Sequence, residues 1–163
     1  KNEIGQKFPS VQMWDKELDA SLKGAFLMIK FFGEEMAKRQ KGSIINIGSD
    51  LSVIAPNQKI YKSGYRNYIK PVTYSVIKHG MVGLTKYFAS LYGEKKVRVN
   101  MVSPGPVKNK QKKKLLKQIE NMTPHGRLGN PDDLYGLLFF LASDNSLYIT
   151  GQNILADGGK TII

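Results

Sequence analysis

The chain has 163 residues, a formal net charge of +12 and no cysteine, which allows one domain with a real core and excludes disulfides and thiolate metal sites. Its only histidines, His79 and His125, are too few for a multi-histidine metal site, so no metal is expected. No apolar run approaches the length of a membrane span, residues 1–5 lack a signal-peptide core, and the absence of cysteine fits a cytoplasmic protein.

In chain order, residues 14–39 carry apolar side chains at Leu18, Leu22, Ala25, Phe26, Ile29, Phe32 and Met36, a helical spacing. Ser10 or Asp15 is a candidate cap, and residues 38–42 form a basic, glycine-terminated end. Residues 44–47 read as a short β-branched strand. Residues 49–73 read as irregular, with Pro56, Gly64 and Pro71 set among Tyr61, Tyr65 and Tyr68. A connection this long in a compact domain is usually functional, the alternative being a surface excursion without a role. Residues 74–92 predict a second long helix with Ile77, Met81, Leu84, Phe88 and Leu91 along one side. Gly80 and Gly83 permit close approach of another backbone, and Gly93 ends the helix. Residues 97–102 predict a strand leading into the sharp turn Ser103-Pro104-Gly105-Pro106. A short basic helix is expected at 112–121. Another begins at Pro131-Asp132-Asp133, with proline and acids in its first turn, and runs to about 143. Residues 152–156 are the last strand, and Asp157-Gly158-Gly159 turns away from it. Alternating strands and helices predict an α/β fold with a parallel sheet and right-handed crossovers, in a single domain over 1–163.

The positive charge favours anions: phosphates, acidic sugars, nucleic acid or a membrane surface. Part of it is local, in Lys108, Lys110, Lys112, Lys113, Lys114 and Lys117. A solvated helix face or loop accounts for such a cluster, and attraction of an anionic ligand is the alternative. Nucleic acid is not expected, because the cluster lacks interleaved aromatics and no nucleic-acid-binding motif is present.

The chemistry-bearing stretch runs over 42–78. A strand ends at Ser49, and Tyr74 and Lys78 stand four residues apart on one helical face. Tyrosine is a poor base at neutral pH, and a neighbouring ammonium favours its phenolate. A serine facing such a pair is a plausible proton-transfer site.

These motifs resemble the short-chain dehydrogenases/reductases, Rossmann-fold enzymes that use NAD or NADP. Asn46-Ile47-Gly48-Ser49 is similar to the family's serine strand, and Tyr74-Ser75-Val76-Ile77-Lys78 matches its YxxxK. Arg98-Val99-Asn100-Met101-Val102-Ser103-Pro104-Gly105 resembles the strand before its Pro-Gly turn. Arg127-Leu128-Gly129-Asn130-Pro131-Asp132-Asp133, Phe140-Leu141-Ala142-Ser143-Asp144 and the segment 149–159 match its C-terminal region. A lone YxxxK is weak; these blocks in order are specific. The resemblance implies a doubly wound parallel sheet. It implies Ser49, Tyr74 and Lys78 as catalytic residues: Tyr74 as acid/base, Ser49 on the substrate oxygen, and Lys78 also on the nicotinamide ribose. Pro104 and Gly105 would lie beside the nicotinamide, and Val107 and Asn109 at positions that touch its carboxamide or the phosphates. The basic segment 108–117 falls in the family's substrate lid.

Three departures accompany the resemblance. The glycine-rich turn that holds the pyrophosphate, and the strands around it, are missing, which implies that the N-terminal half of the Rossmann domain is not in this chain and that residues 44–47 have a bare edge. Ser21, in Ser21-Leu22-Lys23-Gly24, stands where the family has an asparagine that holds a relay water. The spacing from Ser49 to Tyr74 is longer than usual. Relatives with such an insert, ending like Lys70-Pro71-Val72-Thr73-Tyr74, act in surface-sugar and flagellin modification. That similarity implies a sugar or sugar-nucleotide substrate near Tyr61, Tyr65, Arg66 and Tyr68. The expected function is an NAD(P)-dependent oxidoreductase acting on a secondary alcohol or ketone, as a homodimer or homotetramer, with a small-molecule substrate. The alternative is a non-catalytic binding or assembly module.

Overall fold

The computed structural model describes residues 8–64, 68–109 and 113–163. The expectations placed on residues 1–5, Tyr65, Arg66, Lys110 and Lys112 lie outside the described residues.

Three parallel strands form the sheet: β1 (Gly42–Ile47), β2 (Val97–Pro104) and β3 (Asn153–Ala156), in the order β1-β2-β3. Gly42 is in register with Val97, Ile47 with Val102, and Pro104 with Ala156. β2 is central and buried from Val97 to Ser103, as its β-branched run predicts.

The helix expected at 14–39 is interrupted. α1 (Val11–Leu18) passes through a π turn (Asp19–Lys23) into α2 (Gly24–Lys38). Ser10 caps α1, its hydroxyl accepting from the Met13 amide at 3.2 Å. At the π turn the Gly24 amide donates to the carbonyl of Asp19. Leu18, Leu22 and Ala25 thereby pack on Ile77, Met81 and the fully buried Met101. Ser21 lies in this turn and is exposed. Beyond it Ile29 and Gly33 face inward, whereas Phe32, assigned above to the apolar side, is exposed. Gly33 has a packing reason: a Cβ there would lie 2.4 Å from the Tyr92 ring.

α4 (Val72–Tyr92) starts two residues earlier than expected, with Pro71 as its cap. It buries Ile77, Met81 and Phe88 and also Thr73, Thr85 and Tyr92, but not Leu91. Phe88 and Tyr92 stack at 5.6 Å beside Ile29, Val97 and Val99. Of the two helix glycines, Gly80 is approached by Leu22, while Gly83 faces open space. α6 (Tyr135–Ala142) is held by a buried arginine on β2. Arg98 donates to the carbonyls of Leu141 (2.8 Å) and Ser143 (3.1 Å) and to the Ser146 hydroxyl (2.9 Å). The orphan carbonyls at a helix C-terminus thus meet a cation.

The insert is not wholly irregular. Residues Gln58–Gly64 form a helix, α3, whose Ile60 packs on Leu115 and Ile119 of α5 (Lys113–Glu120) and on Leu128. One buried isoleucine in an otherwise polar segment was too sparse a pattern to mark that helix. Among the described residues no helix is long and apolar enough to cross a membrane.

Candidate active site

A cavity of about 620 Å³ opens at the carboxyl ends of β1 and β2, bounded by α3, α5 and the start of α4. In open parallel sheets this is where ligands bind. Ser49 and Tyr74 line it together with Pro104, Gly105, Val107 and Asn109. Sequence-distant candidates thus meet at one place. Tyr61 and Tyr68 line it as well.

Each side chain has a local reason for its position. Ser49 follows β1 directly and caps a short 3-10 turn, Asp50–Ser52. Its hydroxyl donates to the Asp50 carboxylate at 2.8 Å and accepts from the Leu51 amide at 3.2 Å. An ionised carboxylate only accepts, so the hydroxyl hydrogen points to Asp50 and the oxygen keeps a lone pair for a ligand. Tyr74 and Lys78 occupy the first turns of α4. The Lys78 ammonium donates to the Ile47 carbonyl at 3.1 Å and lies 5.6 Å from the Tyr74 ring centroid. Burial lowers its pKa from the usual lysine range. Pro106 and Val107 are pinned alongside Gly129: the Lys108 amide donates to the Gly129 carbonyl (2.7 Å), and the Gly129 amide to that of Pro106 (3.0 Å).

Three charged residues of the site were not singled out as functional from the sequence. Asp50 is buried, and its second carboxylate oxygen forms an ion pair with Lys160, itself buried. Lys70 lines the cavity with its ammonium 3.6 Å from the Tyr74 ring centroid. Asp50 was adjacent to Ser49 and could have been flagged. Lys160 lies 110 residues away, and no spacing rule connects the two.

A family profile described as enoyl-(acyl carrier protein) reductase matches residues 8–161. The chain belongs to the short-chain dehydrogenase/reductase family. Among relatives of this family member, an NAD-dependent glycerol dehydrogenase of Listeria innocua is 33% identical over 93% of the chain and 57% of its own length. The crystal structure of a Leptospira borgpetersenii short-chain dehydrogenase with bound NAD+ superposes with a TM-score of 0.86 and 32% identity, covering 96% of the chain and 60% of that protein. A gluconate 5-dehydrogenase of Burkholderia cenocepacia, in complex with NADP and tartrate, gives a TM-score of 0.83 and 25% identity over 95% of the chain and 58% of its own. The chain therefore spans somewhat more than half the length of these relatives, and its three-stranded parallel sheet is part of their Rossmann fold.

Proposed function

We propose that the protein is an NAD(P)-dependent oxidoreductase that interconverts a secondary alcohol and its ketone, and that this chain carries its proton-handling and substrate-facing part. The observation that carries the proposal is the shared cavity wall of Ser49 and Tyr74, with Lys78 one helical turn behind Tyr74. Names of relatives that include NAD, NADP and polyol or sugar-acid dehydrogenases support it.

The donor set fits the nicotinamide-ribose end of such a cofactor. Lys78 has spent one N–H on Ile47 and has two left for ribose hydroxyls, with the Tyr74 ring centroid 5.6 Å away. Asn109 and Val107 line the wall on which a carboxamide would lie. When bound, the nicotinamide supplies the hydride acceptor or donor. In the oxidative direction the alcohol oxygen would give its proton to Tyr74 as phenolate while the bound nicotinamide would serve as the hydride acceptor. The ammonium of Lys78 stabilises that anion. Ser49 holds the substrate oxygen. Because an alcohol's single hydroxyl hydrogen goes to Tyr74, Ser49 holds an alcohol or a ketone oxygen by donating to it, which requires its hydroxyl to rotate off Asp50.

A polyhydroxy compound such as a sugar suits a wall of Tyr61, Tyr68 and Asn109. The exposed apolar side chains Leu27, Met28 and Phe31 on α2 and Phe139 on α6 support a homo-oligomer, and the cysteine-free composition supports a cytoplasmic one. The test is turnover by the full-length protein with NAD+ or NADP+ against a panel of polyols and hydroxy acids, followed by nicotinamide absorbance. Turnover that Ser49→Ala lowers about a hundred-fold supports the proposal. Failure of the full-length protein to bind either cofactor refutes it and favours the assembly module.

A further inference from the structure

Lys70 differs from the other cations near the cavity. Lys160 is paired with Asp50, and Lys78 is engaged with the Ile47 carbonyl. The Lys70 ammonium stands over the Tyr74 ring at 3.6 Å and lies 5.9 Å from the Tyr61 centroid. Among the described residues it has no ion pair and no hydrogen-bond acceptor. An aromatic face attracts a cation but satisfies none of its three donors in the way an oxygen does.

Its position is fixed from both sides. Gln58, the first residue of α3, clamps the Lys70 backbone: the Lys70 amide donates to Gln58 Oε1 at 2.9 Å, and Gln58 Nε2 donates to the Lys70 carbonyl at 3.1 Å. Pro71 follows as the cap of α4, with φ at −58°. Burial pulls the pKa of Lys70 down; the Asp50 carboxylate opposes this and the Lys78 ammonium adds to it. An ammonium partly stripped of water, held over a ring, gains strongly from an incoming anion. The charged residues lining the cavity among those described are Asp50, Lys70 and Lys160, so the lining carries one net positive charge.

We propose that Lys70 is a specificity residue and that the substrate is a hydroxy acid or its keto acid. Its carboxylate pairs with Lys70 Nζ while its carbinol or carbonyl oxygen meets Tyr74 and Ser49. Because the ammonium sits over the ring that bears the reacting hydroxyl, the carboxylate belongs within one or two carbons of the reacting centre. This inference rests on the oxidoreductase proposal and names its substrate class.

The probes are D-tartrate and D-threitol, which share a four-carbon diol skeleton and differ in ending as carboxylates or as alcohols. Binding of each to the full-length protein is measured by calorimetry, with and without NADH or NADPH, for wild type, Lys70→Met and Lys70→Arg. Loss of one charge-assisted hydrogen bond predicts that Lys70→Met weakens tartrate about ten- to hundred-fold, and at least about ten-fold more than it weakens threitol. Lys70→Arg should retain most of the affinity, and in turnover the loss should fall on KM more than on kcat. Equal weakening of tartrate and threitol would mean that Lys70 only supports Tyr74, and would overturn the inference. So would a loss confined to NADH or NADPH, which would place a cofactor phosphate on Lys70. Threitol turnover combined with tartrate binding indifferent to Lys70 overturns this inference and leaves the oxidoreductase proposal intact. Absence of nicotinamide binding overturns that proposal, while the tartrate titration still decides the role of Lys70.

Discussion

Replacing Lys160 by methionine should destabilise the protein far more than a typical single substitution. Lys160 and Asp50 are 8% and 5% exposed, and they face each other as a buried ion pair. Without the ammonium, the Asp50 carboxylate keeps only the Ser49 hydroxyl at 2.8 Å and the Leu51 amide at 2.9 Å. Opposite unit charges about 4 Å apart attract by ~4 kcal/mol at an effective dielectric of about 20. Breaking one side of a buried pair costs about 3–5 kcal/mol, because the remaining charge is left without compensation. At a urea slope of about 1–3 kcal/mol per molar, Lys160→Met should lower the denaturation midpoint by more than about 1 M. Asp50→Asn/Lys160→Met should recover most of that loss, giving a coupling of about 3 kcal/mol in the double-mutant cycle. A Lys160→Met midpoint close to wild type, or additive single-mutant effects, would show that the pair does not stabilise the fold.

Three further outcomes are expected. Gly105→Ala should cost about 1–3 kcal/mol in urea unfolding and impair ligand binding in the cavity, because its Cβ would lie 2.7 Å from the Asp157 Cα, a backbone atom that cannot step aside; near-wild-type behaviour would contradict the packing. Asp133 is held down to about 2 by hydrogen bonds from Arg127, at 2.6 and 3.0 Å, and from the Asn130 amide. A depressed carboxyl pKa contributes stability above the ordinary value of 3.8 that is lost as the pH falls towards 2, so the difference in urea midpoint between wild type and Asp133→Asn should shrink across that window; a constant difference would speak against it. Gln58→Ala should release the Lys70 backbone and weaken tartrate binding in the same direction as Lys70→Met but less; unchanged binding would show that the clamp does not position the ammonium.

Much of the fold was legible because its strands are short, β-branched and bounded by glycine or proline, and because Ile77, Met81 and Phe88 repeat at helical spacing. Phase errors arose where local rules are silent. Phe32 and Gly33 both continue the helical spacing from Ile29, and the close approach of the Tyr92 ring, which leaves no room for a Cβ, puts Gly33 on the inner side and Phe32 outside. α3 was missed because its partners on α5 and at Leu128 are distant in sequence. In the site, Ser49, Tyr74 and Lys78 were visible through spacing and through resemblance. The Asp50–Lys160 pair was not, since it joins two turns that only the parallel sheet brings together. Lys70 was visible as part of a pattern, but its stance over Tyr74 depends on Gln58, a contact that no periodicity announces.

In the proposed reaction Tyr74 is the proton-transfer group of a nicotinamide-dependent site. That role is tested most directly by Tyr74→Phe in the full-length protein, with single-turnover hydride transfer and cofactor affinity measured on the same preparation. General acid–base catalysis contributes about 10²- to 10⁴-fold, so the rate should fall by that factor while NADH or NADPH binds within a few-fold of wild type. A variant that transfers hydride at the wild-type rate would contradict the account.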